Sequence, residues 1–272
     1  MNTCNQSPEI AVVMGVYNIV ALAGFEEAVE SVLDQSYSNL EFIICDDGSV
    51  DGTWELLQHL AAEDDRIVLL RHTTNMGLAS ALNTCIKEAR GAFIARQDAD
   101  DQSEICRFEK QLAFLQHHPE IGFCGSNVSL FDENGIWGER KFPAYPQAED
   151  FLFTMPFVHG ALMFRKEALE RVNGYRVAKE TRRAEDYDML MRMYANGTKG
   201  ANLREKLYHF REDIAAQKRR KYKYRIDDVK VRYLGFKALG YMPKAWPYVL
   251  KPLIVGLIPN TILLKLKKHR KY

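Results

Sequence analysis

Three carboxylates, Asp98, Asp100 and Asp101, follow directly on a short apolar run at residues 92–95. Such a run reads as a buried strand, which places the acids at its carboxyl end. Carboxylates crowded this closely repel one another and raise at least one pKa, unless a cation lies between them. A hard divalent ion, Mg²⁺ or Mn²⁺, takes oxygen ligands of this kind and keeps room for substrate phosphate oxygens. The same acids could instead form a polar loop ahead of a helix, with Asp101 or Ser103 capping a helix that starts near Glu104. Other polar residues fall at comparable places. Tyr17 and Asn18 follow an apolar run at 10–14, and Asp46 and Asp47 follow another at 40–45. Glu185-Asp186-Tyr187-Asp188 opens a helical stretch, where the helix dipole favours acids for structural reasons too.

The elements that must hold these residues alternate. Apolar runs at 10–14, 40–45, 66–70 and 92–95 read as strands buried on both faces. Between them lie helical stripes at 25–33, 53–62 and 78–89, the last closed by Gly91. This alternation predicts a parallel α/β sheet with helices on both faces. Ligands of such sheets bind beyond the carboxyl ends of the strands, where the polar groups fall. After residue 102 the regularity fades. A helix is expected at 104–116, a strand at 121–131 with a turn and a returning strand, a strand at 157–164 with His159-Gly160 inside it, helices at 166–172 and 185–196, and a strand around Tyr208-His209-Phe210.

The totals fit an ordinary globular chain. It has 272 residues, 47% of them hydrophobic and 27% charged, enough for one large domain with an appendage. Five scattered cysteines without a CxxC pair read as reduced core residues of a cytosolic protein, and no signal-peptide pattern opens the chain. The net charge of +1 conceals a division. Residues 204–272 hold 19 Lys and Arg against 5 Asp and Glu, whereas residues 1–203 hold 18 against 31. The basic end carries Tyr, Trp and an apolar stretch broken by Lys251, Pro252 and Pro259. It is too short and interrupted for a comfortable membrane span. A helix lying on an anionic membrane surface suits it best, with a helix pair packed on the domain as the alternative.

Strand one runs into Gly15-Val16-Tyr17-Asn18, with neither a GxGxxG nor a GxxxxGK[ST] loop. A dinucleotide-binding dehydrogenase or a P-loop NTPase is thereby disfavoured. Diphosphate charge would then have to be offset by a cation held at Asp98 and Asp100.

Six segments in order resemble the family 2 glycosyltransferases of GT-A fold: residues 12–18, 31–37, the 46–53 segment containing Asp46-Asp47-Gly48-Ser49, Asn75-Met76-Gly77-Leu78, the acidic turn at 98–101, and Glu185-Asp186-Tyr187-Asp188. The resemblance covers roughly residues 8–210, and a domain of 1–211 with a basic, amphipathic helical region at 212–272 is expected. It implies an inverting transferase that moves a sugar from a nucleoside diphosphate sugar to an acceptor hydroxyl. By position, Tyr17 corresponds to the residue that stacks on the base, usually uracil. Asp47, or else Asp46, corresponds to the acceptor for the base N–H, and Gly15, Asn18 and Asn75 lie in the matching donor segments. Asp98 falls near the donor ribose or sugar, and Asp100 corresponds to the direct metal ligand. Asp186 corresponds to the catalytic base and Glu185 to its neighbour at the acceptor, with His159 and Gly160 shaping the acceptor side. Two departures stand out: Gln97 replaces a common apolar residue, and Gly15 stands where Pro, Thr or Ser is common. Arg211 could reach the diphosphate. His209 could complete the metal shell, although a satisfied strand histidine is the better reading.

In this picture the cofactor is Mn²⁺ or Mg²⁺, and the partners are a nucleotide sugar and a saccharide or lipid-linked saccharide acceptor. The place of work is the cytoplasmic face of the membrane, in synthesis of O-antigen, capsule or a similar surface polysaccharide. Two alternatives differ in class. A sugar nucleotidyltransferase also uses paired carboxylates but usually carries a glycine-rich basic start. A nucleic-acid-binding protein could use the Lys/Arg/Tyr run at 218–225, against which the acidic first two-thirds argues.

Overall fold

The computed structural model describes residues 7–212 and 223–256. Four strands form its centre: β1 (Ile10–Val16), β2 (Leu40–Asp46), β3 (Ile67–Arg71) and β4 (Phe93–Arg96). They pair in parallel in the order β3-β2-β1-β4. Side chains alternate across each strand. Ala11, Val13, Ile43 and Cys45 enter one apolar cluster, and Ile10, Val12, Met14, Phe42 and Ile44 enter the other. Helix α3 (Leu78–Glu88) covers the first face. Helices α1 (Phe25–Leu33) and α2 (Thr53–Glu63) cover the second. Coverage on both faces is why these strands read as unbroken apolar runs.

The sheet continues through the second half of the chain. The additional strands are β5 (Gln102–Ser103), β6 (Ile121–Asp132), β7 (Gly135–Arg140), β8 (Met163–Arg165) and β9 (Lys199–Arg211). The order is β3-β2-β1-β4-β8-β6-β9-β5, with β7 hydrogen-bonded to β6. Strand β8 runs antiparallel to β4, while β6 and β9 pair in parallel. Helix α4 (Arg107–His117) buries Phe108, Leu112 and Leu115 against the second cluster. Each such side chain contributes about 1.5–3 kcal/mol by leaving water. Short helices α5 (Asp150–Phe153) and α6 (Lys166–Glu170) and the longer α7 (Glu185–Ala195) complete this half.

Several expectations are corrected. The 157–164 stretch is not one strand: His159–Ala161 forms a 3-10 turn, and only Met163–Arg165 joins the sheet. The turn needs glycine, because a Cβ at Gly160 would collide with the Tyr208 hydroxyl and lie 2.8 Å from Asp98 Oδ2. Strand β9 is far longer than the Tyr208-His209-Phe210 segment expected. The helix after the acidic turn begins at Arg107 with Cys106 at its N-cap, so neither Asp101 nor Ser103 caps it. Of the cysteines, Cys45, Cys85 and Cys124 are buried and free and Cys106 is partly buried, while Cys4 lies outside the described residues.

Beyond residue 222, α8 (Lys223–Ala238) and α9 (Trp246–Gly256) pack on each other, and α8 packs on α7. Val231, Phe236, Ala245 and Val249 enter the same cluster as Phe151 and Met189. The helix-pair alternative therefore describes this part of the tail. Its outward side still carries Trp246, Leu250 and Ile254, spaced four apart on α9 and all exposed, with Phe153 of α5 nearby through its aromatic contact with Tyr248. No helix among the described residues is long and apolar enough to cross a membrane. The basic run at 218–222 and the Lys- and Arg-rich end at 265–271 lie outside the described residues.

Candidate active site

The ends of β1 and β2 are laced together by short polar side chains. Asn18, left-handed at φ 51°, donates its N–H to Ser49 Oγ (2.8 Å) and accepts from the Val50 N–H through Oδ1 (3.0 Å). Thr53 Oγ1 accepts from the Ile19 N–H. This lacing leaves the Tyr17 ring 46% exposed at the rim, available for stacking. Gly15 lies within β1 instead, beneath α3, where a Cβ would be 2.9 Å from Leu78 Cδ1. Helix packing accounts for that departure from the family pattern.

Asp46 and Asp47 have different duties. Asp46 is fully buried, accepts from the Ser49 N–H (2.9 Å) and pairs with Arg71 Nε (3.1 Å). Asp47 is nearly as buried, at 3% exposure. Asp47 accepts from the Met76 and Gly77 N–H groups (2.9 and 2.7 Å) and meets His72 Nδ1 at 2.7 Å. It thereby fixes the 74–77 loop, which carries the exposed Asn75 beside the rim. The loop lies so close over Gly48 (φ 75°) that a Cβ there would be 2.6 Å from the Thr74 carbonyl carbon.

At the end of β4 the three acids are sorted by burial. Asp101 is turned inward, its Oδ1 accepting the Arg211 N–H at 2.7 Å, while its Oδ2 is buried without a hydrogen-bond partner among the described residues. Asp98 is held by Arg96 Nη2 at 2.6 Å, and its N–H donates to the Tyr208 hydroxyl at 3.1 Å. Its carboxylate remains 29% exposed, and Asp100 is half-buried beside it. Burial, and then the charge of Asp98, pushes Asp100 above the usual carboxylate range; burial and both neighbouring acids push Asp101 further. A cation at Asp98 and Asp100 would relieve this repulsion. Among the described residues no three His, Cys, Asp or Glu side chains form a metal site. The pair fits a Mg²⁺-like ion, which takes one or two carboxylates and completes its shell from phosphates and water. Asp101 is 2% exposed and turned away from the pair.

The N-terminus of α7 meets this turn from the other side. Glu185 is 8% exposed, and its Oε2 has no hydrogen-bond partner among the described residues. Burial, then Asp186, raises its pKa to about 8, so its carboxyl is largely protonated at neutral pH; Arg96 and Asp98 are also within electrostatic reach. Asp186 is half-buried in the first turn of the helix, and its Oδ1 accepts the Tyr187 N–H at 2.7 Å. Asp188 faces away, paired with Arg176 and Arg192 at 2.8 Å each, and serves packing. His159 meets the Tyr175 hydroxyl through Nε2 at 2.7 Å. Burial and the charge of Arg96 lower its pKa to about 3, so its ring is neutral.

The structure thus gathers Asp98, His159 and Glu185 around the buried Arg96, with Tyr175 and Tyr208 beside it and Asp186 next to Glu185 and Tyr175. Two other candidates are placed differently. His209 Nε2 pairs with Glu104 at 2.9 Å, and its ring lies edge-on to Phe131 at 6.4 Å, so it is a satisfied strand histidine and not part of a metal shell. Arg211 donates through Nε to the Asp100 carbonyl (3.1 Å), with its guanidinium over the Phe131 ring, so its observed duty is to clamp the acidic turn. Sequence reasoning missed Arg96 and Tyr208 as site residues. The available signal was an arginine ending an apolar strand two positions before an acid.

A mixed sheet of this order, with acids at the strand ends facing a helix N-terminus that carries Glu and Asp, defines a GT-A-type glycosyltransferase. The comparisons narrow the class. The model of glycosyl transferase family 2 matches residues 11–172, and the chain belongs to that family. The putative glycosyltransferase EpsE of Bacillus subtilis is 40% identical over 98% of this chain and 95% of its own. The O-antigen biosynthesis glycosyltransferase WbnJ of Escherichia coli is 30% identical over 68% and 71%. The UDP-Glc:alpha-D-GlcNAc-diphosphoundecaprenol beta-1,3-glucosyltransferase WfaP of Escherichia coli is 26% identical over 77% and 81%. Among solved structures, the mannosyltransferase PcManGT of Pyrobaculum calidifontis, in complex with GDP-Man and Mn²⁺, shares the fold at a TM-score of 0.62 with 21% identity, over 97% of this chain and 80% of its own. The protein is therefore a glycosyltransferase with relatives in surface polysaccharide synthesis.

Proposed function

We propose that the protein is an inverting glycosyltransferase that moves a sugar from a nucleoside diphosphate sugar, UDP-linked, to a hydroxyl of a lipid-linked saccharide. The observation that carries this reading is that Asp98, beside Asp100 on the acidic turn, lies within electrostatic reach of Glu185 at the start of α7, next to Asp186. Tyr17 stacks on the base at the rim, with Asn18, Asp47 and Asn75 shaping its surroundings. Asp98 and Asp100 would hold Mn²⁺ or Mg²⁺, which when bound offsets the charge of the leaving diphosphate. Asp186 takes the proton from the acceptor hydroxyl. That oxygen attacks the anomeric carbon, and the bond from this carbon to the diphosphate oxygen breaks on the opposite face. The base and the acidic turn sit on different elements, as such a displacement requires. Glu185, neutral at pH 7, has a carboxyl that can donate to one hydroxyl of the acceptor sugar, beside the neutral His159 and Gly160.

The lipid-linked acceptor is supported by the named substrate of WfaP and by the exposed Trp246, Leu250 and Ile254 stripe. In this reading the stripe rests on an anionic membrane at its cytoplasmic face, as an interfacial helix does. A thermal-shift screen of UDP-, GDP- and dTDP-sugars with and without Mn²⁺ tests the donor. Stabilisation that needs both metal and nucleotide is expected, because a ligand of the folded state raises its melting temperature. No shift with any nucleotide sugar would overturn the reading.

A further inference from the structure

Beneath the acidic turn lies a polar network closed to water: Gln97, Arg107 and Gln111 are fully buried, and Ser103 nearly so. All five guanidinium N–H groups of Arg107 are used. Nε donates to Gln111 Oε1 (3.0 Å), Nη1 to Ser103 Oγ (2.8 Å) and Gln97 Oε1 (3.1 Å), and Nη2 to the carbonyls of Arg96 (2.8 Å) and Leu162 (3.3 Å). No carboxylate pairs with it among the described residues, and its guanidinium lies 4.9 Å from the centre of the Tyr208 ring. Gln97 passes the restraint upward. Its Oε1 accepts from Arg107 and from Ser103 Oγ (2.7 Å), while its Nε2 donates to the carbonyls of both Asp98 (3.1 Å) and Asp101 (2.8 Å). One amide thus bridges the two ends of the turn that presents the acids. Gln111 Nε2 donates to the Ala161 carbonyl at 2.8 Å, so the same network reaches the turn carrying His159 and Gly160.

A buried guanidinium without a counter-ion is costly, and apolar side chains would serve simple packing as well or better. Here its charge lies within electrostatic reach of Asp101, and its backbone bonds go to the carbonyls of Arg96, just before the acidic turn, and Leu162, just after the His159–Ala161 turn. We propose that Arg107 and Gln97 are positioning residues for the acidic turn. They fix the backbone from which Asp98 and Asp100 would hold a divalent cation, and they hold that turn in register with the His159–Ala161 turn. The inference rests on the donor reading above. It also gives the Gln97 departure a physical purpose, since an apolar residue at 97 could not bridge the two carbonyls.

The test compares nucleotide affinity with Mn²⁺ and with chelator, by calorimetry, in the full chain. The probe is whichever of UDP, GDP or dTDP gains most from Mn²⁺ in the unaltered protein. Gln97→Leu is expected to reduce affinity in Mn²⁺ by about tenfold or more, the range that loss of outer support costs a metal site. Affinity in chelator should stay the same. Arg107→Lys, which keeps the charge but loses the fork, should move the same ratio by a smaller factor. A purely structural role would lower the melting temperature and leave that ratio alone. Should Gln97→Leu fail to fold, Ser103→Ala removes one support of the Gln97 amide, and a loss of about twofold or more in the Mn²⁺ gain is expected, on the scale of one weakened hydrogen bond. An unchanged Mn²⁺ gain in the folded variants overturns the inference while the donor reading stands. Absence of any Mn²⁺ gain in the unaltered protein overturns both.

Discussion

The two sides of the cleft are built differently. On the donor side the acids lie on a turn braced from within: Gln97 spans it, Arg96 holds Asp98 and the Arg211 N–H holds Asp101 Oδ1, while Asp101 Oδ2 and Arg96 Nε and Nη1 have no hydrogen-bond partner among the described residues. On the acceptor side, α7 starts at Ala184 without a side-chain cap, and Glu185 keeps a buried oxygen without a hydrogen-bond partner. A braced turn suits binding, where orientation must exist before the ligand arrives. An unsatisfied carboxyl is a standing cost that a substrate hydroxyl can remove, which suits a group that acts during reaction. Substitutions on the two sides should therefore separate affinity from turnover.

The largest effect is expected at Asp186. Asp186→Asn should cut kcat by about 10²–10⁴-fold, the usual worth of a general base, while Mn²⁺-dependent nucleotide affinity stays nearly intact. Equal loss of both would break the contrast and make Asp186 structural or part of the donor site. Next comes Asp100→Ala. Nucleotide affinity in Mn²⁺ should fall by about a hundredfold, the upper end of what outer-shell losses cost a metal site, with little change in chelator. An equal drop in both conditions would argue against ligation.

A smaller effect concerns Glu185 and pH. With a folded pKa of about 8 against an ordinary 4.5, this carboxyl binds its proton more tightly in the folded chain. Its contribution to stability is complete below about pH 4.5 and lost as pH rises towards 8. Melting temperature, followed across that window, should fall less steeply in Glu185→Gln than in the unaltered protein. Parallel curves would show that Glu185 ionises normally, and the two sides of the cleft would then look more alike. The smallest effect on chemistry is expected from the α9 stripe. The combined change Trp246→Ser, Leu250→Ser and Ile254→Ser should lower sedimentation with phosphatidylglycerol vesicles severalfold and leave nucleotide affinity untouched. Unchanged sedimentation would remove the membrane from this face.

Much of the first hundred residues was legible because β1 to β4 are covered on both faces and so carry unbroken apolar runs. The acids at 98–101 were legible for the same reason, since they stand where such a run stops. Strand β9 was not. It contains Lys199, Arg204, Glu205 and Lys206, and its pairing with β6 shifts register twice around Asn127, so no simple alternation survives. The 157–164 stretch misled in the opposite direction: its apolar residues suit a strand, but residues 159–161 form a turn in which Gly160 leaves room for Tyr208 and Asp98. Arg96 and Arg107 were hidden because an arginine in a sequence scores as surface. Only the folded arrangement shows the carbonyls that receive the Arg107 N–H groups and the Asp98 carboxylate that receives one from Arg96. Similarly, nothing in the spelling of Asp46-Asp47 distinguishes the acid sealed under the turn from the one that anchors the 74–77 loop.

The clasp between Asp101 and Arg211 joins residues 110 positions apart. During synthesis at about 5–20 residues per second, the acids would leave the ribosome roughly 5–20 s before the strand that secures them is made. For that interval the nascent protein carries the first four strands and a cluster of mutually repelling charges, with no finished grip for a cation. A translation product that stops short of residue 211 should thus display the legible half of the domain and be unable to discriminate nucleotide with Mn²⁺ from nucleotide without it.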